Sequence, residues 1–165
     1  MTRSEKSMAT ITTSTGLATS AAVIPIPVAD SVAISGVQVA MVVALGGIYG
    51  QVISKDFAKS LLGVFLVAKV GEWLASMFKL IPGPGTVVGG VVQMVIAGSL
   101  TYSLGLAVRS VLERGLELTK DSVREAQEGL DKDAIKRKQA ELKRKIKKTK
   151  AAEEHIAFVA TPEYF

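Results

Sequence analysis

The sequence predicts an all-α, membrane-embedded hairpin or bundle of helices, with one amphipathic helix and a long charged helix at its C-terminus. Three observations predict it. The 25 residues from Pro84 to Val108 carry no charged side chain. Neither do the 24 residues from Ser31 to Ser54. Charge is also segregated along the chain. Between Ala21 and Leu112 only Asp30, Lys55, Asp56, Lys59, Lys69, Glu72, Lys79 and Arg109 are charged, whereas the last third is dense in Lys, Arg, Asp and Glu. A hydrocarbon layer about 30 Å thick is crossed by about 20 apolar helical residues. Inside it the backbone must bond to itself, as a helix does.

The 165 residues suit one domain, of mean hydropathy +0.35 and net charge +5. They divide into a flexible N-terminal arm (residues 1–20), a hydrophobic helical domain (21–115) and a charged helical tail (116–165). The arm is rich in Ser, Thr and Ala and lacks the compact apolar core of a secretory signal. Arg3 is its only arginine, against an organelle transit peptide. Low hydrophobicity makes loose order the expectation there.

The first apolar helix is expected over about residues 28–53, entered through Pro25 and Pro27, which fit a first helical turn because proline has no N–H to lose. A middle helix follows over about 56–80. It puts Lys69, Glu72, Ser76 and Lys79 on one face and Val70, Trp73, Leu74, Met77 and Phe78 on the other. Such a helix spans by pairing Lys69 with Glu72, or lies at the interface with Trp73 among headgroups. The interfacial option costs less, and it makes the two apolar helices a hairpin. Two prolines and two glycines between Pro82 and Gly85 must break the chain. The second apolar helix then covers about 86–113, and a polar helix about 118–152 with an interruption at Gly129.

Small and polar residues recur every fourth position in the second apolar helix: Gly85, Gly89, Gln93, Ala97, Thr101 and Gly105. The first has Gly36, Ala40 and Ala44. Such notches let helix backbones approach closely, the main source of helix pairing in lipid. They predict packing between the two apolar helices and homo-oligomer formation. Gln38 and Gln93 are placed to hydrogen-bond across that interface. Asp30 complements the dipole at a helix N-terminus; a cation or proton relay is the alternative.

The tail's charge is blocked. Lys136 to Lys150 holds nine basic residues (Lys136, Arg137, Lys138, Lys143, Arg144, Lys145, Lys147, Lys148 and Lys150) against one acidic residue. Anionic membrane lipids suit this run, as does an acidic partner protein. Without interleaved aromatics or a nucleic-acid fold, DNA or RNA is disfavoured. Arg109, Arg114 and Lys120 lie close enough to the second apolar helix to mark a cytoplasmic tail on a membrane-located protein.

Chemistry is absent from the motifs. No phosphate-binding loop, HExxH or GxSxG occurs, and His155 is the one histidine. There is no cysteine, hence no disulfide and no thiolate metal site. The expectation is a non-enzymatic protein with no cofactor.

Five short motifs coincide in order: Ile24-Pro25-Ile26-Pro27-Val28-Ala29-Asp30, Gln38-Val39-Ala40-Met41, Ile48-Tyr49-Gly50, Ile81-Pro82-Gly83-Pro84-Gly85 and Thr101-Tyr102-Ser103-Leu104-Gly105. Over about residues 21–115 the chain resembles domain of unknown function 697, the YcjF-like helical domain. The resemblance implies a hydrophobic helical domain that accompanies Era-type GTPases. This chain has no GTPase half, so a GTPase partner would be supplied in trans. The expected function is a membrane-embedded adaptor or assembly subunit. A soluble self-assembling bundle is the alternative, and an ion or proton pathway through Asp30, Lys69 and Glu72 the third reading.

Overall fold

The structure, a computed structural model, describes residues 1–22, 29–65 and 86–160. All regular structure among the described residues is helical. Helix α1 (Arg3–Ala21) is closed at its start by a capping box: Glu5 N donates to Thr2 Oγ1 at 3.2 Å, and Thr2 N donates to Glu5 Oε2 at 2.7 Å. A cap of this kind contributes about 1 kcal/mol. The flexible arm expected for residues 1–20 is therefore corrected to a helix. Its inner face consists of Ser7, Ile11, Ser14, Thr15, Ala18 and Thr19, all buried. Thr15 Oγ1 donates to Ile11 O at 2.7 Å and Thr19 Oγ1 to Thr15 O at 2.8 Å. Hydroxyls satisfied by their own helix can be buried without a partner elsewhere.

Helix α2 (Ala29–Tyr49) stops short of the expected residue 53. Gly50 turns the chain with φ +81°, Gln51 N donates to Gly46 O at 2.9 Å and Gly50 N to Gly47 O at 3.2 Å. This is a Schellman motif, which needs a left-handed residue and so favours glycine. Helix α3 is described over residues 55–65, with Ser54 Oγ accepting from Phe57 N at 3.2 Å. Helix α4 (Thr86–Glu113) begins and ends where expected, on a second Schellman motif at Gly115 (φ +71°). The expected long polar helix is two elements, α5 (Lys120–Glu128) and α6 (Lys132–Ala160), parted at Gly129 as predicted. Asp131 caps α6, its carboxylate accepting from Asp133 N at 2.9 Å and Ala134 N at 3.2 Å.

Helix directions follow from cross-contacts. Gln38 meets Thr101 and Tyr49 meets Glu113, so α2 and α4 run parallel. This corrects the expected antiparallel hairpin, while the bundle stands. The chain enters α4 at the end opposite the one where it leaves α2. Helix α1 runs antiparallel to both, with Ile11 against Gly105 and Met41, and Ser7 against Tyr49. Its small buried face fills the groove between them.

The main core gathers Ile11 from α1, Met41, Val42 and Leu45 from α2, Leu61 and Phe65 from α3, Leu104, Val108 and Val111 from α4, and Val123 from α5. A smaller core joins Leu142 and Ile146 of α6 to Val91, Met94 and Val95 of α4.

The pattern Pro25/Pro27, the break at residues 82–85, and Lys69, Glu72, Ser76 and Lys79 of the middle helix lie outside the described residues. So do the side chains of Asp30 and His155, and the notches at Gly85 and Gly89.

Candidate functional site

The notches of α4 are filled within the chain. A Cβ on Gly105 would lie 2.7 Å from Ile11 Cγ1 and 3.2 Å from Met41 Sδ. At Gly98 it would run into Thr19 Oγ1 and lie 2.9 Å from Leu142 Cδ1. Glycine is required at both places because neighbouring helices occupy the space. Ala97 and Thr101 are buried, and Thr101 Oγ1 donates to Ala97 O at 2.8 Å while accepting from Gln38 Nε2 at 3.0 Å. The expected Gln38 bond across the apolar helices is thus made, with Thr101 as partner. Gln93 is exposed. Gly98 was missed by the four-residue stripe because it lies one position beyond Ala97, on the side that takes α1 and α6.

The α2 notches behave differently. Gly36, Ala40 and Ala44 are exposed, as are Val32, Ala33 and Gly47, and a Cβ on Gly36 would meet nothing within 4 Å. They do not pack against α4 in the chain, which corrects the expectation for this stripe. The residues of α2 that face inward are Gln38, Val39, Met41, Val42 and Leu45. An apolar ridge broken by small residues therefore runs along the outside of α2.

At the end where α2 and α4 finish, a polar cluster ties three helices. Arg109 Nη2 donates to Glu113 Oε1 and to Ser4 Oγ, both at 2.8 Å. Tyr49 Oη lies 3.2 Å from both Glu113 Oε1 and Ser7 Oγ. One turn away Gln51 Nε2 donates to Leu116 O at 2.8 Å and Gln51 Oε1 accepts from Leu118 N at 3.2 Å, joining the two Schellman turns. The Arg109–Glu113 spacing of four was a visible signal; the roles of Tyr49 and Gln51 needed the fold.

Helix α6 divides into two faces. Ile135, Leu142 and Ile146 are buried. Lys138 Nζ sits 5.4 Å from the centroid of the Tyr102 ring, a cation–π contact. Lys150 Nζ lies 3.6 Å from the Cβ position of Gly90. Lys136, Arg137, Lys143, Arg144, Lys145, Lys147 and Lys148 are exposed on the remainder. Lys136 pairs with Asp133, Arg137 with Asp131, and Lys145 with Glu141. Among the described residues Lys143, Arg144, Lys147 and Lys148 have no acidic partner, and their spacing places them on one stripe away from α4. Hydrogen bonds from Lys145 and then Lys138 hold the Glu141 carboxyl below its ordinary range. The backbone N–H groups of Ala134 and Asp133 do the same for Asp131.

Among the described residues no group of three His, Cys, Asp or Glu side chains is placed to hold a metal. Two helices are long and apolar enough to cross a membrane, over Val32–Tyr49 and Gly90–Glu113. At 1.5 Å per residue α2 is about 31 Å long and α4 about 42 Å. The first is a third buried within the chain, the second more than half.

Fold and faces together define a helical bundle with two helices of membrane-spanning length and a basic outer helix. The chain belongs to the family described as domain of unknown function DUF697, whose model matches residues 2–144. It is similar to Magnetosome membrane protein 22 of Magnetospirillum gryphiswaldense, with 31% identity over 103 residues, 59% of this chain and 53% of that protein. The chain thus spans about half the length of that relative. No solved structure matches.

Proposed function

We propose that this chain is a non-enzymatic, membrane-embedded adaptor or assembly subunit that associates with copies of itself through the outer face of α2. The observation that carries the reading is that face: Val32, Ala33, Gly36, Ala40, Ala44 and Gly47 are exposed on a helix of spanning length. In water such a ridge would be an uncovered apolar patch. In a bilayer lipid covers it, and its notches admit a second helix. The membrane residence named for the magnetosome relative supports the same reading.

The tail is proposed to be cytoplasmic. Parallel α2 and α4 end together, beside the N-terminus of α1, and that end carries Arg3, Lys6, Lys55, Lys59, Arg109, Arg114 and Lys120. Lysine and arginine near span ends mark the cytoplasmic side. A GTPase in another chain is the proposed protein partner, as the family resemblance implies, and this cytoplasmic end is where it would bind.

Alkaline carbonate extraction tests the membrane reading: the chain is expected in the pellet, and release to the supernatant would replace that reading with a soluble assembly. The soluble reading draws its support from α1 and α6, which cover α4 with polar outer faces.

A further inference from the structure

Helix α6 cannot stay where it is if α4 enters lipid along its full length. Their register is antiparallel: Lys138 over Tyr102, Leu142 over Gly98, and Lys150 over Gly90. The contact thus covers the first half of the Gly90–Glu113 span. Lys143, Arg144, Lys147 and Lys148 would be carried to membrane depth on the outside of the bundle, where an unpaired charge is strongly disfavoured. The docked state nevertheless has sound packing. Leu142 and Ile146 close over Val91, Met94 and Val95, and a glycine at position 98 makes room for Leu142.

Resting on the membrane reading, we infer that α6 is a detachable cover: its apolar stripe shields α4 in water, and its basic stripe is the docking surface for an anionic bilayer, which takes α6 as α4 inserts. The occupant follows from charge complementarity. Four adjacent cations that have no acidic partner among the described residues face outward, and a surface of anionic headgroups attracts such a stripe within a Debye length. The apolar stripe then exchanges α4 for the interface, where amphipathic helices lie. Docking to α4 and full insertion of α4 are mutually exclusive.

The chain contains no cysteine, so Met94→Cys with Ile146→Cys supplies a single thiol pair one turn along from Gly98 and Leu142. Full-length protein with the pair closed by a short bis-maleimide and with the pair left open is added to vesicles of phosphatidylcholine and phosphatidylglycerol. The open form is expected to become carbonate-resistant. The closed form should show at least a tenfold lower resistant fraction. Equal insertion of both overturns the cover. If neither inserts, the membrane reading itself fails, and the cover with it. In the open form, Lys143→Gln, Arg144→Gln, Lys147→Gln and Lys148→Gln together should cut binding to anionic vesicles about tenfold and leave phosphatidylcholine-only vesicles unaffected. Unchanged binding to anionic vesicles would remove the bilayer as the occupant of that face.

Discussion

Helices α2 and α4 are close in composition and opposite in situation. Both are uncharged over most of their length, both carry small residues four apart, and they lie side by side. Yet α4 is wrapped by α1 and α6 and spends its notches at Gly98 and Gly105 on them. Helix α2 leaves Gly36, Ala40 and Ala44 facing outward. The same sequence motif thus serves the fold in one helix and is left exposed in its neighbour. Spacing alone cannot say which, because what fills a notch lies elsewhere in the chain.

The largest expected effect separates the two helices directly. Gly105→Ala forces a methyl against Ile11 and should cost about 1–3 kcal/mol, and Gly105→Leu more. Gly36→Leu, in open space, should leave stability within about 0.5 kcal/mol and instead reduce self-association in detergent. Denaturant unfolding and cross-linking read the two outcomes. Comparable stability losses at both positions would erase the distinction.

Next comes the bond across the pair. Thr101→Val leaves buried Gln38 Nε2 without its partner and should cost about 1–3 kcal/mol. The double variant Gln38→Leu with Thr101→Val should recover part of that loss. Strict additivity in the cycle would mean that the bond is not made.

A smaller effect is expected where the three helices meet. Glu113→Gln removes the charge that Arg109 and Tyr49 share, and should lower stability by about 1 kcal/mol, with faster proteolysis near Ser4 and Ser7. No change in protease sensitivity would show that the cluster does not hold α1.

The smallest effect is on pH. The carboxyls of Asp131 and Glu141 are held below their ordinary values. A depressed folded value contributes stability above the unfolded value and loses it as pH falls through the folded one. All the partners responsible lie within α6 itself, so the helicity of α6 should be insensitive above about pH 5 and weaken below about pH 4, near the usual carboxylate range. Both groups are largely exposed, so solvent keeps the change modest. The helical circular dichroism signal against pH measures it. Loss of helix on raising pH from 5 to 7 would contradict the sign.

How legible this was depends on the kind of signal. Uninterrupted apolar stretches announced α2 and α4, and the end of α4 matched because Gly115 stops it. Gly129 announced the division between α5 and α6. Helix α1 was hidden. Its buried face is mostly Ser and Thr, and nothing in hydropathy distinguishes hydroxyls that return to their own backbone from hydroxyls in water. For the candidate site, the basic stripe of α6 was visible as a charge run. That Leu142 and Ile146 would hold it against α4 was not visible.

By itself, then, the sequence determined that the two apolar stretches and most of the charged tail are helical, where charge collects, and that two helices have the length and apolarity to span a bilayer. These are local quantities, set by side-chain solvation and backbone propensity over a turn or two. Only the tertiary structure decided that α2 and α4 run parallel, that α1 fills the groove between them, and which notches remain open. Those depend on contacts between residues as far apart as Ile11 and Gly105, and no local preference encodes which small gap will receive which side chain.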